Sequence, residues 1–207
     1  MSVPVDPEII HHLKKDRILV PILENFSPSF DSNPSDVFDE LTRSIVSQQL
    51  SVKAAATIYS RFLSLFNNNN KLRNTLADFP EETLRSVGLS AQKAKYLKNV
   101  ALHFDTNQLH HVNWKSWSDD DIINELIQIK GVGKWTIEMI LMFSLNRPDV
   151  LPLDDLIIRN NIQRLYGVES KNKQLIKDLT TIAESWRPYR SYACLYLWAA
   201  KNSAFIP

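Results

Sequence analysis

Apolar residues recur every three to four positions along most of this chain, the spacing of helices with one buried face. Residues 7–24 carry Ile9, Ile10, Leu13, Ile18, Leu19 and Ile22, a loose helical pattern interrupted by Pro21. The turn-rich stretch 27–35 (SPSFDSNPS) precedes a helix that starts near Ser35 and runs through Val37, Phe38, Leu41, Ile45 and Gln48. Ser51 is placed to cap the next helix, which carries Val52, Ala55, Ala56, Tyr59, Leu63 and Phe66.

The pattern continues after a polar loop at Asn67–Asn70. Pro80 fits the first turn of a short helix that stops at Gly88. Ser90 caps a helix through Ala94, Leu97, Ala101 and Phe104, and a loop runs from Asp105 to Trp117. Ser118 and Asp121 have the spacing of a capping box and open a helix through Ile122, Leu126 and Ile129. Helical segments follow at Lys134–Leu145, Asp155–Tyr166, Asn172–Trp186 and Pro188–Asn202. No segment shows sustained strand alternation, so the expected fold class is all-α. Only 4 glycines in 207 residues fit that expectation.

Composition narrows the function classes. A single cysteine, Cys194, rules out an internal disulfide, a cysteine-ligated zinc site or an iron–sulfur cluster, and fits a reducing, intracellular setting. Its place among Ala193 and Leu195 suits a small buried hydrophobe. The pairs His11-His12 and His110-His111 stand apart from any cluster of ligand spacing and read as solvated. No apolar run spans a membrane, and the first residues lack the basic-then-apolar layout of a signal peptide. Net charge is +1, but from Lys130 onward there are 11 Lys or Arg against 7 Asp or Glu. That is compatible with phosphate binding and equally with ordinary surface charge. Arg187 and Arg190 suit either a phosphate contact or a salt bridge.

The most informative stretch is Leu126–Ile140, LIQIKGVGKWTIEMI. One helix ends, Lys130-Gly131-Val132-Gly133 turns, and another begins at Lys134 or Trp135. Glycines at i and i+2 allow positive φ and a close approach to a partner. The N-terminus of the second helix offers unpaired N–H groups and the positive end of a dipole, a ready phosphate site to which Lys130 and Lys134 add charge. Downstream, Val150-Leu151-Pro152-Leu153 leads into Asp154-Asp155 and another helix. One aspartate is enough to cap it, and the second then lies in the first turn, where the dipole favours negative charge.

The order K-G-V-G-K-W-T, then L-P-L-D-D-L, then W-R-P-Y-R-S-Y-A-x-L-Y-L-W resembles the AlkA-type DNA-3-methyladenine glycosylases of the helix-hairpin-helix (HhH-GPD) superfamily. The block Ser44–Ala55 (SIVSQQLSVKAA) matches as well, and the resemblance spans residues 8–203. It implies two helical lobes with an active-site cleft between them, one made of residues 36–115 and the other of 1–35 with 116–207, the latter carrying the hairpin at 122–144. It also implies a single domain over 1–207 that lacks the amino-terminal β domain of longer members.

The same resemblance implies roles. Asp155 is the catalytic carboxylate, with Asp154 as cap or helper. Trp135, Trp198, Met139 and Leu156 line the base pocket, Met139 and Leu156 standing where the family often has aromatics. Gln49 and Leu50 form the wedge that fills the gap left by a flipped base. Gly131, Gly133, Lys134 and Thr136 hold the DNA backbone. A Na⁺ or K⁺ ion rests on the main-chain oxygens of Ile127, Ile129 and Val132, and no other cofactor is expected. Trp135 occupies the position where bifunctional relatives place a lysine nucleophile, and Lys134 diverges from it by about 100° around the helix, so base removal without strand cleavage is implied. The expected partner is double-stranded DNA containing alkylated bases, the expected state a monomer inside the cell, acting on DNA. A competing reading is a non-catalytic DNA-binding module built on the same hairpin.

Overall fold

The structure, a computed structural model, describes residues 2–31, 35–66 and 69–206. The chain divides into two compact units, one formed by Ser35–Ile140 and the other by Met1–Pro34 with Leu141–Pro207. The hairpin therefore belongs with the central unit, not with the terminal segments as expected. Side chains of that unit hold it: Asn99 donates to the Lys130 carbonyl at 3.1 Å, and His103 Nε2 meets Glu125 Oε1 at 2.7 Å.

The terminal unit begins with β1 (Ser2–Pro4), α1 (Pro7–Leu13), α2 (Val20–Asn25) and β2 (Ser29–Asp31). β1 and β2 pair antiparallel, with Val3 opposite Phe30. The fold class is all-α as expected; this short ribbon is an addition to it, and three residues per strand are too few to leave an alternation in the sequence. The remainder of the unit is α10 (Leu156–Leu165), α11 (Asn172–Ala183), a 3-10 turn at Glu184–Trp186 and α12 (Arg190–Ala199). Leu13, Leu19, Ile22, Ile158, Ile162, Trp186 and Leu197 are buried in it, as is the free Cys194.

Asp16 is the polar centre of this unit. Tyr166 donates its hydroxyl to Asp16 Oδ2 at 2.5 Å, and the Trp186 indole donates to the same oxygen at 2.9 Å. The Ile18 amide donates to Oδ1 at 3.0 Å. One carboxylate thus ties the α1–α2 turn to the end of α10 and to the 3-10 turn.

The central unit holds α3 (Val37–Ser47), α4 (Val52–Ser64), α5 (Asn69–Thr75), α6 (Glu81–Ser86), α7 (Ala91–Thr106), two 3-10 turns, α8 (Asp119–Leu126) and most of α9 (Lys134–Phe143). α5 takes up part of the expected polar loop; Asn67 and Asn68 lie outside the described residues. The helix starts follow local cap chemistry. Asp36 accepts from the Phe38 amide at 2.9 Å, Ser90 from Lys93 at 3.2 Å and Ser118 from Asp121 at 3.1 Å. The Ser118–Asp121 box is altered. Asp121 is shorter than the usual Glu, and it accepts the Ser118 hydroxyl at 2.6 Å.

His110 is not solvated, contrary to expectation. Its ring lies 5.0 Å from Phe38 and 5.4 Å from Phe104, and Nε2 meets Asp105 Oδ1 at 3.0 Å. His12 likewise packs edge-on against Tyr189, with centroids 5.2 Å apart. Aromatic faces that come together only in the folded chain account for both differences. Among the described residues no helix is long and apolar enough to cross a membrane.

Candidate active site

Asp155, rather than Asp154, is the N-cap of α10. Its Oδ1 accepts from the Ile157 amide at 2.9 Å and the Ile158 amide at 3.0 Å. Asp154 is exposed in the preceding turn, and its carboxylate makes no bond to the first amides of α10. The expectation fails by one residue because Asp155 has extended backbone angles, φ −72° and ψ 119°, the conformation of a cap rather than of a first turn. The Trp198 indole Nε1 adds a third donor to Oδ1, at 3.1 Å. Three N–H groups on one oxygen fix the orientation of the carboxylate.

The surrounding terminal unit holds this arrangement. Asn161 on α10 donates to the Leu197 carbonyl on α12 at 2.9 Å, in the core. This bond places the neighbouring Trp198 against the start of α10. Arg190 grips Asp149 through Nε at 2.7 Å and the Asp149 carbonyl at 2.8 Å, and Arg187 also pairs with Asp149. The Ser191 hydroxyl donates to the Arg147 carbonyl at 2.6 Å and accepts the Val150 amide at 2.9 Å. The loop that delivers Leu151–Asp155 is therefore fastened to the start of α12. Arg187 and Arg190 thus take the salt-bridge alternative, both pairing with Asp149.

In the central unit, the hairpin's two glycines do different work. Gly131 has φ +109°, and a Cβ there would lie 2.3 Å from Cγ of Tyr96 on α7. It must be glycine both for its backbone and for the ring beneath it. Gly133 has no such φ, and a Cβ there would meet nothing within 4 Å. Its missing side chain leaves open space in front of α9. The turn carbonyls are taken by side chains, Lys130 O by Asn99 at 3.1 Å and Gly131 O by Gln48 Nε2 at 3.3 Å.

Gln49 and Leu50 lie between α3 and α4. Gln49 has φ +56°, uncommon for a residue with a side chain. Leu50 is 36% exposed and Val52, just beyond the Ser51 cap, 89% exposed. Val52 belongs to the apolar set that predicts α4, but as the first residue of that helix it lies outside the packed face, which buries Ala55 and Phe62.

Residues 42–188 match the HhH-GPD superfamily of base excision DNA repair proteins. The chain belongs to this superfamily. It is 35% identical over 188 residues to DNA-3-methyladenine glycosylase 1 of Schizosaccharomyces pombe, a match covering 90% of this chain and 82% of that protein. It is 31% identical to a putative DNA-3-methyladenine glycosylase of Bacillus subtilis, covering 78% of this chain and 58% of that one. A crystal structure of a DNA-3-methyladenine glycosidase from Bacillus halodurans superposes with a TM-score of 0.78 at 33% identity, over 95% of this chain and 90% of that chain. The S. pombe 3-methyladenine DNA glycosylase in complex with abasic DNA gives 0.75 at 32% identity, over 97% and 99%.

The other anticipated residues of this HhH-GPD protein are placed as follows. Trp135 is 43% exposed in the first turn of α9, and Leu156 is 60% exposed in the first turn of α10. Met139 is half-buried on α9 and Trp198 half-buried on α12. Lys134 is exposed and lies 3.6 Å from Glu138 Oε1. Thr136 is buried, 6% exposed, in the first turn of α9.

One residue went unnoticed in the sequence. Phe143, at the end of α9 and 40% exposed, packs its ring 5.8 Å from Trp198. Its signal was present, because Phe143 stands four residues after Met139 and eight after Trp135, one face of a helix.

Proposed function

We propose that this protein is a monofunctional DNA glycosylase of base excision repair. It hydrolyses the N-glycosidic bond of alkylated purines, the 3-methyladenine and 7-methylguanine class, in double-stranded DNA after base flipping, and leaves an abasic site. The observation that carries this reading is the Asp155 carboxylate, oriented by two helix amides and the Trp198 indole.

Cleavage of the glycosidic bond develops positive charge on the sugar, as in other glycosyl hydrolyses. A carboxylate fixed beside C1′ stabilises that charge and orients or deprotonates the attacking water. Alkylation at a ring nitrogen makes the purine cationic and a good leaving group, so little general-acid help is required. Within the terminal unit, the half-buried Trp198 and the exposed Phe143 beside it offer aromatic faces that suit a flipped cationic base, and the exposed indole of Trp135 is of the same chemical kind. The hairpin grips one strand through the first turn of α9, with Gly133 open to the phosphate and Lys134 adding charge. Gln49 and Leu50 fill the gap in the duplex. The main-chain oxygens of Ile127, Ile129 and Val132 would hold a monovalent cation; Ile129 O also accepts the Val132 amide at 3.0 Å, and a carbonyl's second lone pair would serve the ion. Bound there, it would add positive charge near the gripped phosphate.

The relatives' names support the substrate class, and the indole of Trp135 at the lyase-lysine position supports base removal without strand cleavage. The competing reading, a non-catalytic DNA-binding module, takes Asp155 as a helix cap alone, which its two amide bonds permit. The deciding experiment incubates the protein with methylated duplex DNA and quantifies free base. Release of methylated purines, with no covalent complex trapped by borohydride, is the expected result. Binding without release would favour the module, and a trapped complex would overturn monofunctional chemistry.

A further inference from the structure

The turn between α3 and α4 is held from two sides by groups outside it. The ammonium of Lys93, on α7, donates to Val46 O at 2.9 Å and Gln48 O at 2.7 Å. These carbonyls lie at the end of α3, where a helix runs out of its own N–H donors. On the other side, Gln48 Nε2 donates to the Gly131 carbonyl of the hairpin at 3.3 Å. Between these anchors stands Gln49 with its left-handed φ of +56°, followed by the half-exposed Leu50.

Lys93 is an expensive residue at its position. Three residues after the Ser90 cap, it sits in the first turn of α7, where the helix dipole disfavours a cation. Burial also holds its ammonium below the ordinary lysine range. The two carbonyl bonds offset these costs, and the chain would gain stability from a neutral residue there unless the turn itself had to be held. A left-handed glutamine persists only where its surroundings over-determine it, and Lys93 and Gln48 supply that constraint.

We infer that Lys93, together with Gln48, is a positioning clamp for the wedge turn. It fixes Gln49 and Leu50 in their inserting conformation and ties that turn to the hairpin that grips the strand. Gap filling and strand gripping are then parts of one rigid assembly within the central unit. This inference rests on the reading of Gln49 and Leu50 as the wedge.

The test uses the full-length protein and a duplex with 2-aminopurine next to an abasic analogue. Wild type should raise the fluorescence as the wedge unstacks the neighbouring base. Lys93→Met should lose most of that rise while DNA affinity falls less than about tenfold, and Lys93→Arg should recover it. A folded Lys93→Met with the full rise would overturn the clamp, as would failure of Lys93→Arg to recover what Lys93→Met loses. If Lys93→Met does not fold, Gln48→Ala decides in its place: it removes only the bond to Gly131, so a reduced rise supports the clamp and a full rise overturns it. Gln49→Ala and Leu50→Ala separate the two failures. A full rise in both would refute the wedge reading itself, whatever Lys93 does.

Discussion

Trp198 donates its indole N–H to Oδ1 of Asp155 at 3.1 Å, so the residue offered to a base as a stacking face also orients the carboxylate. The two roles separate in Trp198→Phe, which keeps an aromatic ring and removes the donor. A hydrogen bond to a charged group contributes about 1.5–3 kcal/mol, so excision under single-turnover conditions should fall roughly 10- to 100-fold. Affinity for DNA should be nearly unchanged. An unaltered rate would show that Asp155 needs only its helix amides.

The hairpin glycines give opposite predictions. Gly131→Ala places a Cβ 2.3 Å from Tyr96 Cγ at φ +109°, and overpacking with backbone strain should cost about 3 kcal/mol or more. A lowered melting temperature is the readout. Gly133→Ala meets nothing within 4 Å and should melt like wild type. If the proposed strand grip holds, it should bind DNA more weakly, because the methyl group would stand in the phosphate's way. Equal affinity for Gly133→Ala and wild type would remove Gly133 from the interface.

The features legible in the sequence are those fixed by neighbours in the chain. Ser90 and Ser118 cap helices as anticipated because a cap needs only the next three residues. The K-G-V-G-K turn is legible for the same reason, although the division of labour between Gly131 and Gly133 depends on Tyr96, 35 positions earlier. Asp154 and Asp155 are chemically alike, and backbone angles alone decide which one caps. Lys93 was invisible because its partners are main-chain carbonyls of residues far from it in sequence. The basic character of Arg187 and Arg190 was visible, but Asp149 and Glu184 consume it in the fold.

Lys134 is shared between Glu138, 3.6 Å away, and any phosphate at the start of α9. Lys134→Ala should weaken binding to all DNA sequences alike and lower the slope of log affinity against log salt by about 1. Titrations at several salt concentrations measure it. An unchanged slope would mean that Glu138 keeps the ammonium.

Asp16 predicts a defect of stability without a defect of chemistry. Asp16→Ala strands the Tyr166 hydroxyl and the Trp186 indole, a loss of about 1–3 kcal/mol. The melting temperature should fall while excision per folded molecule stays at the wild-type level. Burial and then the hydrogen bond to Asp16 raise the Tyr166 pKa above its ordinary 10.0. A raised value means that the stability contributed is complete below pH 10.0 and is lost as pH climbs beyond it. Wild type should therefore soften in alkali, with a shallower decline in Asp16→Ala.

Asp155→Asn tests the central claim. Asparagine caps a helix about as well as aspartate, so the fold and the amide bonds at the start of α10 should survive. The variant lacks the charge that stabilises a developing sugar cation, and its excision should drop by about 100-fold or more. The measurement is single-turnover release of free base from methylated duplex DNA, with wild type and Asp155→Asn compared at equal DNA occupancy. Release by wild type and almost none by the variant, with both bound, is the predicted result. Near-normal release by Asp155→Asn would contradict the account.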